Sequence, residues 1–288
     1  MPNLKDIKRR IRSVESTMQI TKAMELVASS KFRRAKERAE AALPFFEQTY
    51  KLMAEIAAED PYFTSQYVHK RAENGSVILI VIAGDRGLAG GFNNNVLKIA
   101  QARIEEVQAQ GESAIIVPIG QKAVDYFERR SAKILRSYDH VAEHASIDLG
   151  MDIADLVLAN YRRHVSVQSV ELVFTNYVSP IQQVAECMNV IPLTRMPGTA
   201  TRRCAVEYEP SPEAVFDKLV PQYVAGLVYG AIVESFASEQ AARRTAMENA
   251  TDNATEMIDK LSLQYNRARQ GAITQELTEI VGGANALE

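Results

Sequence analysis

Apolar residues near both ends of the chain recur by alternating threes and fours, whereas those in the middle come in short unbroken runs. The first series begins Leu4, Ile7, Ile11, Val14, Met18, Thr21, Glu25, Ala28 and continues through Phe32, Ala35, Ala39, Ala42, Phe46, Thr49 and Met53 to Ile56. That is a heptad seam, and it predicts one very long helix. No proline follows Pro221, and Met247, Ala250, Ala254, Ile258, Leu261, Tyr265, Ala268 and Ala272 repeat the step. Two such segments from opposite termini predict an antiparallel coiled coil. With helix one ending near residue 57 and helix two starting near 212, residue 3 falls opposite roughly residue 266. At ~1.5 Å per residue the paired shaft would run on the order of 80 Å, with a single-helix tip of about 30 Å beyond it. A lone helix is marginal in water, and this one ends Ile280-Val281-Gly282-Gly283-Ala284-Asn285-Ala286-Leu287, so it needs a partner to shelter it.

The middle reads differently. Val- and Ile-rich runs at 77–83, 114–119, 132–138, 170–178 and 184–191 predict strands, and helical patterns at 93–110, 121–130 and 147–163 separate several of them. Strands alternating with helices imply a largely parallel, Rossmann-like sheet with helices packed on it. Segments 59–76 and 195–212, rich in turn residues, read as linkers. The fold class is therefore α/β: a coiled-coil helix over 1–57, an inserted α/β domain with its linkers over 58–210, and a second coiled-coil helix with its tip over 211–288.

Charge sharpens the picture of the ends. Residues 1–40 hold 11 Lys or Arg against 5 Asp or Glu, while residues 213–288 hold 6 against 11. The two helices are complementary, but exposed ion pairs contribute only about 0–1 kcal/mol each, so charge selects the pairing and the apolar seam holds it. Several seam positions are alanine, which grips weakly and permits close approach; alanine is also simply a good helix former. The longest apolar run has seven residues, against the roughly 20 of a membrane helix, so no bilayer span is expected. The first residues lack a secretory or transit pattern, which reads as cytoplasmic, and Cys187 and Cys204 read as free thiols.

Three places offer candidate chemistry. The turn Gly84-Asp85-Arg86-Gly87-Leu88-Ala89-Gly90-Gly91-Phe92-Asn93 follows a strand and opens a helix, as a phosphate loop would. It has neither the dinucleotide glycine spacing nor a Lys-Ser or Lys-Thr ending, and Asp85 puts a negative charge where an anion would lie. It reads as a tight turn. His140-Val141-Ala142-Glu143-His144 matches a zinc-protease pattern, but zinc needs a further ligand and the segment reads as an exposed connection. His69 and His164 have no evident partner. The basic run Lys31, Arg33, Arg34, Lys36, Arg38 lacks interleaved aromatics, and the chain as a whole is not basic, so nucleic acid is not expected. No catalytic, cofactor or metal site emerges.

Both termini and the central turn carry a resemblance. Lys5-Asp6-Ile7-Lys8-Arg9-Arg10-Ile11 with Ile20-Thr21-Lys22-Ala23-Met24-Glu25-Leu26-Val27-Ala28 resembles the N-terminal helix of the gamma subunit of F-type ATP synthase. Ala246-Met247-Glu248-Asn249-Ala250-Thr251 and Tyr265-Asn266-Arg267-Ala268-Arg269-Gln270-Gly271-Ala272-Ile273-Thr274-Gln275-Glu276 resemble its C-terminal helix, and Asp85 to Asn93 its signature turn. The resemblance implies a non-catalytic central rotor shaft without cofactors, seated in a hexamer of alpha and beta subunits. It implies an ion-driven membrane c-ring and an epsilon subunit as further partners, at the cytoplasmic face of the cell membrane as a peripheral protein. It also implies contacts with the hexamer at Lys22, Met24, Asp85, Arg86, Arg269, Gln270 and Thr274. Gly84 stands where many members have Ser, Ala89 where many have Cys, and Gly271 where Ala or Ser is common. The rival is a Rossmann-type nucleotide-binding enzyme whose helices form a dimerisation arm.

Overall fold

The computed structural model describes residues 4–59, 63–68, 75–163, 166–193 and 206–285, with the side chains at 42–43, 45–46, 59 and 282–285 left undescribed. Most of both linkers, His69, His164, Cys204 and the end of the tip lie outside these residues. The order is α1 Leu4–Glu59, β1 Ser76–Ile82, α2 Phe92–Ala109, β2 Ser113–Ile119, α3 Gln121–Glu128, a 3-10 turn Ala142–His144, α4 Ile147–Arg163, β3 Val167–Tyr177, β4 Gln183–Ile191 and α5 Pro212–Asn285. Ser211 caps α5, its hydroxyl accepting from Ala214 N–H at 3.3 Å, and Pro212 occupies the first helical position, where a missing N–H costs nothing.

The chain divides into two compact units, residues 29–242 and residues 1–28 with 243–288. In the larger unit four strands lie in the order β2-β1-β3-β4. β1 pairs in parallel with both β2 and β3, and β3 pairs antiparallel with β4. The parallel expectation thus holds for three strands and fails for the fourth. The short turn between β3 and β4, closed by Val178 N–H and Ser179 N–H to the Gln182 carbonyl, leaves no length for a crossover. The run at 132–138 forms no strand: it touches β2 only through isolated bridges at Ile134 and Tyr138.

β1 is buried on both faces, which is why it reads as an unbroken apolar run. Ile78, Ile80 and Ile82 pack with α4 and α5 residues such as Val157, Tyr161, Val224 and Val228, joined by Met53 and Ile56 of α1. Val77, Leu79 and Val81 face the other layer, with Val96 and Ala100 of α2 and Phe127 of α3. Alternation by two splits one strand between two cores. α5 is further tied to the end of β3: Thr175 N–H donates to Ser235 Oγ at 3.1 Å, and Ser238 Oγ donates to the Thr175 carbonyl at 3.2 Å. One window of α5 is apolar enough, by composition and length, to cross a membrane (mean hydropathy 1.2), but half of it is buried inside the protein. Packing within the fold accounts for that apolarity.

In the smaller unit the first part of α1 runs beside the last part of α5. The seam positions Leu4 through Ala28 on one helix and Met247 through Ala272 on the other are all buried or half-buried, and most of their neighbours are exposed. Thr21 and Thr251 hydroxyls lie 2.8 Å apart, and Thr255 Oγ1 lies 3.5 Å from Met18 Sδ, which fixes an antiparallel register. Carried to the start of α1, that register sets Leu4 level with Ala268, close to the predicted alignment. At Thr21 and Glu25 the apolar seam gives way to a polar rung. Thr21 meets Thr251, and Glu25 pairs with Lys22 at 3.1 Å.

Candidate functional site

The glycine-rich turn after β1 is braced from three sides. Gly84 N–H donates to Asn93 Oδ1 at 2.8 Å, Asn93 Nδ2 donates to the Arg86 carbonyl at 3.1 Å, and Lys122 N–H donates to the Gly84 carbonyl at 3.1 Å. Asp85 Oδ1 accepts two backbone N–H groups, from Gln121 at 3.0 Å and from His140 at 2.9 Å. Gln121 opens α3, so Asp85 supplies the anion at that helix N-terminus. His140 has φ of 55°, a left-handed conformation that the bond from Asp85 helps to hold. A carboxylate so engaged leaves no place for a phosphate. At Gly84 a Cβ would stand 2.8 Å from the buried Glu239 carboxyl carbon and 3.1 Å from Asn93 Oδ1, so the turn passes where a serine would crowd it.

The loop held by Asp85 continues to Glu143, which the basic run of α1 grips. Lys31 Nζ reaches both Glu143 carboxylate oxygens, at 2.7 and 2.8 Å, and Arg38 Nη1 donates to its carbonyl at 2.9 Å. Lys31 is the main cause that holds the Glu143 carboxyl below its ordinary range, with His144 and Arg86 adding to the field. Arg33 and Lys36 pair along the helix with Glu37 and Glu40 at 4.0 and 3.7 Å. So Glu143 of the histidine motif serves a link between α1 and the loop. Sequence reasoning saw the basic run and the His-Glu-His pattern separately; nothing in their spacing, 112 residues apart, signalled that they meet.

The remaining candidates belong to the smaller unit. Lys22 is exposed and paired with Glu25, and Met24 is half-buried beside it. Arg269, Gln270 and Thr274 are exposed, with Thr274 Oγ1 donating to the Gln270 carbonyl at 2.9 Å. The register of Thr21 with Thr251 sets Lys22 level with Ala250, so Arg269 lies on the order of 30 Å further along the helix. The seven candidates are therefore not one cluster: five form a strip along the helix pair, and Asp85 and Arg86 sit on the turn of the larger unit. The strip carries exposed apolar residues that a free helix pair has no use for. Ile20, Leu26 and Val27 are 54–62% exposed, and Ile273, Leu277, Ile280 and Val281 are 48–68% exposed.

Comparison with known proteins gives a consistent result. A family model described as ATP synthase matches residues 3–287. A protein of Ruminococcus albus named ATP synthase gamma chain is 54% identical over 97% of both chains. One of Acetobacterium woodii, named ATP synthase gamma chain, sodium ion specific, is 40% identical over 99% of both. Among solved structures, a chain of the Euglena gracilis mitochondrial ATP synthase, in an assembly described as OSCP, F1 and c-ring, has a TM-score of 0.66 at 18% identity, with 99% of this chain and 94% of that one covered. A chain of the Tetrahymena thermophila mitochondrial enzyme, described as central stalk and c-ring, has a TM-score of 0.58 at 24% identity, covering 80% of this chain and 99% of that one.

Proposed function

The chain belongs to the family of ATP synthase gamma chains, and from that premise we propose how its surface serves a central rotor stalk. The stalk is non-catalytic. It couples ion translocation through a membrane c-ring to ATP synthesis or hydrolysis on a hexamer of alpha and beta subunits, with an epsilon subunit as a further partner. The complex is membrane-associated, and we place this chain at the cytoplasmic face of the cell membrane as a peripheral component. The insert at 58–210 is Rossmann-like on this reading, supported by three parallel strands with helices on both faces, and the helices at 1–57 and 211–288 form the shaft.

The observation that carries the reading is the exposed apolar surface of the helix pair and its overhang, which needs a sleeve. A shaft that differs from side to side, inside a ring of repeated sites, touches each site differently. Differential contact is the only way its rotation can alter nucleotide affinity. Arg269, Gln270 and Thr274 present polar groups beside that apolar overhang, and nearer the middle of the strip Lys22 offers a charge and half-buried Met24 an apolar contact. At the signature turn the division of labour is internal: Asp85 holds the backbone, and exposed Arg86 offers its charge to an acidic surface of the hexamer. The sheet turn gives the rival nucleotide-binding reading no support.

Co-assembly with alpha and beta subunits tests the proposal. Deleting residues 267–288 or making the pair Arg269→Ala and Gln270→Ala should lower ATP-driven rotation and ATPase, the deletion more. A hexamer that turns over equally well with either variant would remove the proposed role of these contacts.

A further inference from the structure

A cavity of about 400 Å³ lies within the larger unit, between α1, the β3–β4 hairpin and α5. It exists because facing residues are small: Ala39 on α1, and Gly226 and Gly230 on α5. Phe32 and Tyr177, with ring centroids 5.1 Å apart, Phe174 and Leu227 make it predominantly apolar. Ligand sites commonly have volumes of roughly 300–1,000 Å³ and apolar walls with one or two placed polar groups. Here the placed group is Glu234. Its Oε1 accepts Tyr177 N–H at 3.3 Å, and no lysine, arginine or histidine among the described residues pairs with it. Lys36, also on the lining, is engaged by Glu40 at 3.7 Å. Burial raises the Glu234 pKa, the Tyr177 N–H offsets part of this, and Glu186 of β4 adds to it.

We propose that this cavity binds a small amphipathic amine, with its apolar body between α1 and α5 and its ammonium against Glu234. The carboxylate is half-buried on a mostly apolar lining with a second acid near it, and among the described residues no cation pairs with it, Lys36 being engaged by Glu40, so a cation is the complementary charge. An ammonium restores that balance through charge-assisted hydrogen bonds, whereas an anionic ligand would face two carboxylates. The site is independent of the rotor reading, since it uses neither the shaft strip nor the signature turn.

The full chain contains no tryptophan, so the emission of a naphthyl probe can be followed to the long-wavelength side of that of its 11 tyrosines. Titration with 1-naphthylmethylamine should saturate, about tenfold or more tighter than 1-naphthalenemethanol, and 1-naphthoic acid should not bind. Glu234→Gln keeps an acceptor for Tyr177 N–H and removes the negative charge, so it should fold, and it should abolish the preference for the amine over the alcohol. Ala39→Phe, or Leu227→Phe should that variant misfold, fills the cavity and should abolish binding of both. No saturable amine binding, equal binding of amine and alcohol, or amine binding that survives Glu234→Gln or the filled cavity overturns the proposal.

Discussion

Asp85 shows how a single oxygen can organise a turn. Its Oδ1 serves both Gln121 N–H and His140 N–H, so Asp85→Ala leaves two backbone donors without a partner and should cost about 1–3 kcal/mol of stability. Asp85→Asn retains that oxygen. It should lie close to the native protein in a denaturant titration of the isolated chain, and it should support native ATPase in the assembled hexamer. If Asn behaves like Ala in the hexamer while matching the native chain in isolation, the charge of Asp85 acts on a partner after all. Cys187 offers a second test. The residue is exposed, but desolvation of its sulfur first, and then the Glu171 carboxylate 3.5 Å away, push its thiol up to about 12, so little thiolate exists at pH 8 and alkylation should be slow. Glu171→Gln should speed it at the same pH.

At the scale of elements, α1 meets the loop at Glu143 through Lys31, and the bond has a definite pH window. The folded Glu143 pKa is lowered, so the stabilisation is present above the ordinary carboxyl value of 4.5 and is lost as pH falls through the folded value. With side chains 32% and 43% exposed, the pair is screened and worth about 0–1 kcal/mol. Lys31→Met should therefore destabilise slightly at pH 7 and match the native chain near pH 3, measured by thermal unfolding at both. Gly271 has nothing within 4 Å of the place a Cβ would occupy, so Gly271→Ala should add helix stability of up to about 1 kcal/mol without a clash. Helicity by circular dichroism should rise. The long helices, the three parallel strands and the β3–β4 run were legible because each carries an uninterrupted period of 3.5 or an apolar run. The direction of β4 was not, since it depends on a five-residue turn, Val178 to Gln182, rather than on β4's own residues. The run at 132–138 misled because only Ile134 and Tyr138 in it are β-formers, and these make two isolated bridges to β2 rather than the ladder that pairing needs.

For the whole molecule, the seam was readable from the first and last segments, its register followed from the helix limits near 57 and 212, and the structure set Leu4 level with Ala268. The candidate contacts were readable only as motifs, because a surface that waits for other chains has no partner in its own sequence. That waiting surface makes a prediction for assembly. Amide exchange over residues 273–281, exposed in the isolated chain, should slow strongly once alpha and beta subunits surround it. Unchanged exchange in the complex would mean that this stretch stays outside the sleeve.

The hydrogen bond between Thr21 and Thr251 joins residues 230 positions apart. At roughly 5–20 residues per second, a ribosome needs on the order of 10–45 s to make the second after the first. Throughout that interval the opening stretch of α1 has to travel without the helix that covers its seam. Nascent chains arrested near residue 240 should bind holdase chaperones through residues 4–28, and chains released at full length should let them go.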